Sequence, residues 1–544
     1  MTDIDVLQDT FDRMFSPYNK SDVPGLAVGA SFQGKPIYRR AFGLANLEHG
    51  LANSLKTRFR IASVTKHFTC LAALLLEEMG KWDIDDGIRQ YIPELPLQSG
   101  EPSLRQLMNH TSGYRCFIDA GFLADGEAIH PAANALEIQL QQSRGNFPPG
   151  ERALYCNGAY NLLALAMERV SGSSFETLLK DLIFAPAGMG DTECARSDLD
   201  IYPGLAGLYI ESENRWRRGI FFSEGLSGDG SIISTIDDML KWMPHLRGDH
   251  VVGSAATWAQ MFTPARLSNG FVNSYSLGLS LDSYRGIRLI RHSGGVNGAT
   301  CQMMVAPDHT LDLIICTNGC NANAEELCFS IIDQLLADHV KAVEQCPSPD
   351  FHDWLGEYYC ARTGMIMGLH DMEGQLGLSI LSAPPTPMMA IDNVPTLPFT
   401  KGMVGHFEIR APQRDPSGND VQVLEISDSG NVDLFVRLHP DPSSTTTFFT
   451  DVEGSYFSEE ILATASFSED GESVIMRIRG PYGASVWRVS PVTPDIATFV
   501  SSKYAFWTGA ITFLRESGRV TGFELSTKRT RQLAFRRQYW PEVV

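Results

Sequence analysis

Arg60-Ile61-Ala62-Ser63-Val64-Thr65-Lys66-His67-Phe68-Thr69-Cys70 is the stretch that decides how this chain reads. It places a serine and a lysine three positions apart. On a helix that spacing puts the hydroxyl and the amine on one face, within reach of each other. A neutral Lys66 can then draw the proton from Ser63 and make it a nucleophile. Phe68, Leu71, Leu74 and Leu75 continue the segment as an amphipathic helix with one buried face. Ser63 therefore stands at the N-terminal end of a core helix, where backbone dipoles favour a developing negative charge. The pair alone is a weak signal, because a serine at a helix start is often only a cap. Order strengthens it: Tyr155-Cys156-Asn157 and then His292-Ser293-Gly294 follow at domain-scale spacing.

Each later motif offers what such a nucleophile needs. Tyr155 and Asn157 come just after the turn-rich Phe147-Pro148-Pro149-Gly150-Glu151, and a scaffold-held loop can present a phenol to a cleft. Beside a cation that phenol is expected to have a lowered pKa and to shuttle protons to the leaving group. Asn157 carries a donor and an acceptor, enough to hold Lys66 on one side and a substrate carbonyl on the other. His292 ends a strand and enters Ser293-Gly294-Gly295-Val296-Asn297-Gly298, where Gly294 and Gly295 let the backbone approach a ligand closely. The Gly295 N–H is expected to pair with that of Ser63 as an oxyanion hole. His292 is expected to donate to the substrate or to Tyr155.

Composition bounds the rest. A length of 544 residues implies two to four domains, and the net charge of −20 argues against a nucleic-acid or anionic-membrane partner. No Lys/Arg cluster reads as a local basic patch. Met-Thr-Asp-Ile-Asp-Val-Leu-Gln has early acids and no apolar stretch, so no secretory signal is read there. No apolar run approaches a membrane span. The ten cysteines form no C-x-x-C pair; free thiols in a cytoplasmic protein are the expectation. Asp83, Asp85 and Asp86 are too few ligands for a calcium loop, and no metal or organic cofactor is expected.

The segments alternate in kind along the chain. Leu26–Phe32, a Gln33-Gly34 turn and Ile37–Gly43 read as a hairpin. Helices are expected from Ser63 to Glu78, Asn157 to Val170 and Ala324 to Val340. Strand signals return at Tyr275–Leu281, Ile287–His292, Cys301–Val305 and Thr310–Thr317. This is an α+β arrangement, with sheet strands from both ends and a helical middle. Cys346-Pro347-Ser348-Pro349-Asp350 reads as a linker. Beyond it Gly356-Glu357-Tyr358 and Gly454-Ser455-Tyr456 each open a run of short strands, which suggests two antiparallel β units in tandem. The expected domains are 1–343, 350–448 and 449–544.

These motifs carry a resemblance. The chain resembles the penicillin-recognising serine hydrolases, the superfamily of class C β-lactamases and D,D-peptidases. Leu107-Met108-Asn109-His110-Thr111-Ser112-Gly113, Phe184–Met189 and Gly230–Thr235 are similar to further segments of it. Within it Ser63–Cys70, Tyr155–Gly158, Cys301-Gln302 and the histidine of the third motif resemble the D-aminopeptidases. The resemblance implies a β-lactamase/transpeptidase-like catalytic domain followed by two lipocalin-like barrels. Ser63 is then the acylated nucleophile, Lys66 its proton acceptor and Tyr155 the acid/base, with Asn157 and His292 positioning. It implies no cofactor, a small peptide, amide or ester substrate, and a homodimer. An esterase or β-lactamase on the same scaffold and a peptide-cyclising acyl transferase are the alternatives. In D-aminopeptidases a loop of the last domain helps hold the substrate amine. Gly480-Pro481-Tyr482-Gly483, tipped by Tyr482, is the candidate here, although Arg479–Val486 contains no carboxylate.

Overall fold

The computed structural model describes residues 3–341, 351–391, 394–396, 407–414, 422–439, 445–471, 473–503 and 507–538. The expected linker at 346–350 lies outside them. The central sheet is built from strands β1 (Leu26–Phe32), β2 (Lys35–Phe42), β3 (Ser280–Tyr284), β4 (Ile287–Val296), β5 (Ala299–Ala306) and β6 (Leu311–Thr317). Their order is β3-β4-β5-β6-β1-β2, antiparallel throughout. Gln33 and Gly34 at φ 52° and 76° make the tight β1–β2 turn. The ends of the chain segment meet where β1 pairs with β6, Leu26 opposite Thr317.

Helices cover both faces of the sheet, so its central strands are apolar on both sides. Along β6, Leu313 and Ile315 face one core with Phe11 and Phe15 of α1 (Asp3–Phe15). Ile314 and Cys316 face the other core, around α2 (Thr65–Glu78). Twelve of the fourteen α2 residues are buried; this is the axle of the domain, not a surface helix. Against it lie α4 (Asn157–Ser171) and the helix Ala255–Met261, whereas α3 (Phe117–Asp125) packs into the core of the C-terminal barrel. A further helix, α5 (Ala324–Leu335), returns to the α1 face.

Two antiparallel units follow. The first is a nine-stranded sheet whose edge strands, Thr386–Pro387 and Met389–Ile391, are separated by Met388 alone. The sheet thus curls until its edges are neighbours, with no ladder between them among the described residues. The second, eight strands from Ser455–Ser458 to Leu533–Arg537, closes as a barrel through Tyr456 opposite Arg537. Helix Thr445–Val452 spans the expected 448/449 limit and packs Phe448 and Val452 into the barrel core.

The Gly-x-Tyr openings are one device used twice. Tyr358 donates to Trp354 O at 2.7 Å and Tyr456 to Val452 O at 2.8 Å. Gly356 and Gly454 take φ 143° and 152°, and each lies against an arginine of the unit's last strand, Arg437 and Arg537. Those arginines donate back to Leu355 O and Glu453 O. Each motif therefore ties the first strand of its unit to the last.

Candidate functional site

Local structure fixes Ser63 before any chemistry does. Phe59-Arg60 pairs with Ile233-Ser234, and the Ile61 N–H donates to Ile232 O at 3.1 Å. The buried Arg60 guanidinium pairs with Asp198 and donates to Ala195 O at 2.9 Å. Ala62 then takes φ 49°, a conformation that costs a non-glycine residue about 1–2 kcal/mol. A 3-10 turn, Ala62–Val64, runs on into α2. This kink leaves Ser63 half-buried at the cleft while Lys66 is fully enclosed.

The Lys66 Nζ donates to Ser63 Oγ at 3.0 Å, Asn157 Oδ1 at 2.8 Å and Asp229 O at 2.6 Å. The rings of Tyr155 and Tyr160 lie 4.8 and 5.2 Å from the same nitrogen. Burial pushes the Lys66 pKa down to about 7, against the opposing pull of Asp229. Near neutral pH a large share of molecules therefore carries a free lone pair beside the Ser63 hydroxyl.

Tyr155 departs from the expectation of a lowered pKa. Burial raises the phenol above its ordinary value; the Ser63 hydroxyl and the Arg529 guanidinium offset this only in part. The resting phenol is protonated, a proton donor and not a base. Its loop is pinned by His110, whose Nδ1 accepts the Cys156 N–H at 3.1 Å and whose ring centroid is 4.1 Å from that of Tyr155.

His292 also departs from expectation. A carbonyl oxygen can only accept, so the ring nitrogen facing it, Nδ1, carries the proton donated to Ser293 O at 2.6 Å; Nε2 then accepts the Tyr275 hydroxyl at 3.0 Å. Both nitrogens are occupied, and the Tyr155 ring is 6.4 Å away between centroids. Burial, with Lys66 and Arg291 adding to it, lowers the His292 pKa to about 3. This histidine is neutral and ties β4 to Tyr275.

The two glycines divide their work. A Cβ at Gly294 would stand 2.1 Å from Ile61 O, so only glycine lets β4 pass against the turn that carries Ser63. A Cβ at Gly295 would meet nothing within 4 Å. Ser63 opens onto two cavities, of ≈1190 and ≈540 Å³, and Ser63, Gly295 and Arg529 line both. Asn157 and Asp229 line the larger, Tyr155 and His292 the smaller.

Tyr482 lines neither of them. Its N–H donates to Asp125 Oδ1 at 2.8 Å and its hydroxyl to Glu137 Oε2 at 3.1 Å, which seats the 480–483 turn at the end of α3. The barrel segment Thr527–Gln532, joining strands Arg519–Ser526 and Leu533–Arg537, lines both cavities with Ser63, and Ser502, Lys503 and Trp507 of the barrel line the larger one. Asp119 of α3 accepts from Thr527 Oγ1 at 2.6 Å and pairs with Arg529 Nε at 3.1 Å. The buried Arg115 donates to Arg531 O and Gln532 O, both at 3.0 Å, and pairs with Glu460 at 2.8 Å. The first β unit joins in at Asn431, which exchanges hydrogen bonds with Ala153 at 3.1 and 3.3 Å.

Sequence reasoning missed Asp229, Tyr275, His110 and Arg529 as parts of this site. His110 lies inside a segment singled out for its resemblance, and Asp229 one residue before another. Arg529 had a signal that went unread: Lys528-Arg529-Thr530-Arg531 is a basic cluster in an acidic chain, contrary to the reading that no such patch exists.

Residues 11–327, more than half of the chain, match the beta-lactamase family. The chain belongs to that family. It is a serine hydrolase of the beta-lactamase and penicillin-binding protein kind. The D-aminopeptidase of Brucella anthropi is 29% identical over 369 residues, 67% of this chain and 68% of that protein. Penicillin-binding protein 4* of Bacillus subtilis is 30% identical over 307 residues, 54% of this chain and 67% of that one. The chain thus spans about two thirds of the curated relatives it matches. The structure of the octameric penicillin-binding protein homologue from Pyrococcus abyssi superposes with a TM-score of 0.56 at 20% identity, over 80% of this chain and all of that one. Among the described residues no helix is long and apolar enough to cross a membrane.

Proposed function

We propose that the chain hydrolyses small peptides, amides or esters through an acyl-enzyme on Ser63, as a D-aminopeptidase that releases N-terminal D-amino acids. The observation that carries the chemistry is the enclosed Lys66 amine, with a pKa near 7, 3.0 Å from Ser63 Oγ. Neutral Lys66 takes the hydroxyl proton as Oγ attacks the carbonyl carbon. The Ser63 and Gly295 N–H groups receive the oxyanion, and Tyr155 donates its proton to the leaving amine. Water then cleaves the ester in the reverse sense. Asn157 and Asp229 O hold Lys66 in place; His292 positions β4.

The aminopeptidase reading is supported by the 29% identity to the Brucella anthropi D-aminopeptidase, which extends over 67% of this chain. A cytoplasmic setting is supported by the nine described cysteines, all free thiols; the homodimer is read by sedimentation. The test compares D-Ala, L-Ala and N-acetyl-D-Ala p-nitroanilides with p-nitrophenyl butyrate, in wild type and Ser63→Ala. The reading expects D-Ala p-nitroanilide to lead and Ser63→Ala to fold but lose turnover by several orders of magnitude. Butyrate hydrolysis without D-Ala release would favour the esterase alternative. Residual turnover above about 1% in Ser63→Ala would place the nucleophile elsewhere.

A further inference from the structure

The smaller cavity beside Ser63 is basic although the chain carries a net charge of −20. Three cations of its wall, Lys528, Arg529 and Arg531, come from the one barrel loop Thr527–Gln532. Of the carboxylates in the same wall, Asp433 is engaged by Arg152 and Arg362, and Glu151 pairs with Arg362 at 3.8 Å. Asp119 Oδ1 lies 3.1 Å from Arg529 Nε, and Asp119 Oδ2 accepts the Arg529 backbone N–H at 3.3 Å. The two terminal nitrogens of Arg529 make no hydrogen bond among the described residues, and neither does Lys528 Nζ. Arg531 is turned to Thr527 O and Met365 Sδ, not to a carboxylate. Asp428 also lines this wall; burial raises its carboxyl pKa, Arg531 and Arg152 pull the other way, and its Oδ1 accepts the Ser429 hydroxyl at 2.9 Å.

The loop is also held rigidly. Besides Asp119 and Arg115, Asn146 accepts the Arg531 N–H at 2.8 Å and donates to Arg529 O at 3.1 Å. A guanidinium fixed on one edge, with its other edge unpaired in a cavity shared with Ser63, fits a planar carboxylate through two parallel hydrogen bonds. A substrate ammonium on this side would meet like charge.

We infer that Arg529 and Lys528 form a carboxylate subsite beside Ser63, so that preferred substrates carry an anionic group close to the scissile bond. The inference rests on the proposed hydrolase reading for its placement and deepens it by naming a substrate class. Peptides supply such a carboxylate from two sources: the C-terminus of a short leaving group, or an acidic side chain on the acyl residue.

Three substrate pairs and one titration test it. D-Ala-D-Ala against its C-terminal amide reads the leaving-group source; D-glutamyl against D-glutaminyl p-nitroanilide reads the acyl source. Mono-p-nitrophenyl glutarate against p-nitrophenyl butyrate needs only acylation of Ser63, whatever the aminopeptidase specificity. Glutarate titrated calorimetrically reads the subsite with no turnover at all. Wild type should favour the anionic member of at least one pair by about tenfold or more in kcat/KM, the scale of a charge-assisted bidentate contact. Arg529→Gln and Lys528→Gln should each shrink that ratio and weaken glutarate binding. Lys528 is exposed and without a hydrogen-bond partner among the described residues, so its substitution leaves folding intact even if Arg529→Gln disturbs the loop. If no pair discriminates in wild type and glutarate does not bind, or if Lys528→Gln and a folded Arg529→Gln keep both properties, there is no such subsite. Loss of the inference alone leaves butyrate hydrolysis through Ser63; loss of the hydrolase reading removes turnover but leaves glutarate binding to be read.

Discussion

Replacing Lys66 with methionine should abolish activity yet cost little stability, and the balance should depend on pH. The amine is wholly enclosed, and its fall from an ordinary 10.5 to about 7 corresponds to roughly 4–5 kcal/mol of folding free energy at pH below 7. The sign is fixed by proton counting. Between about pH 7 and 10.5 the unfolded chain holds this proton and the native one does not, so raising pH favours the native state. Below about 7 both hold it, and the native state bears the full penalty. Methionine removes the penalty but also three hydrogen bonds, leaving Asn157 Oδ1 and Asp229 O without their donor, at roughly 1–3 kcal/mol each. The two effects nearly cancel at pH 6. The clean readout is therefore the change with pH: from pH 7 to 9 wild type should gain about 2 kcal/mol on Lys66→Met. Urea unfolding of both proteins at pH 6, 7, 8 and 9 measures this, and wild-type kcat/KM should rise over the same range with a midpoint near 7. A stability gap that stays constant with pH, together with a flat rate profile from 6 to 8, would refute a titrating buried amine.

Tyr155→Phe should lower kcat at least about a hundredfold, the scale of a lost proton donor. Because burial holds the Tyr155 phenol above its ordinary value, wild-type activity should show no alkaline fall assignable to it below about pH 10. Gly294→Ala should lower stability by about 1–3 kcal/mol or misplace β4, since its Cβ would stand 2.1 Å from Ile61 O. Gly295→Ala, whose Cβ meets nothing within 4 Å, should match wild type in calorimetric Tm; equal Tm loss in the two variants would contradict the geometry.

What the sequence makes legible is what neighbours in sequence decide. The Ser63–Lys66 spacing is a local helical property, and the structure realises it as a 3.0 Å contact. The near-continuous apolar runs of β1 and β6, buried on both faces, and the Gly-x-Tyr openings are equally local. Sign errors arise where solvation decides: a cation does sit by Tyr155, but burial outweighs it, and burial is a property of the assembled fold. His292 fails for a similar reason: its Nε2 partner Tyr275, read as the start of a strand, lies in the loop before β3, which begins only at Ser280. The cleft loop is the largest miss. A Gly-Pro-Tyr-Gly turn looks like a tip, yet Asp125 captures it, while Arg529 reaches the site through Asp119, 410 positions away.

The pairing of β1 with β6 and the late Thr527–Gln532 loop together set an order of assembly on the ribosome. The central sheet cannot close before Thr317 is made, because Leu26 has no other partner on that side. Ser63 and Lys66 can then meet. The segment that completes the wall beside Ser63 is synthesised some 200 residues later, a delay of about 10–40 s at ordinary elongation rates. Through that interval the nucleophile is formed but its cleft lacks Arg529 on one side. The basic wall of that cleft is thus completed only when the last barrel strands, Arg519–Ser526 and Leu533–Arg537, zip together.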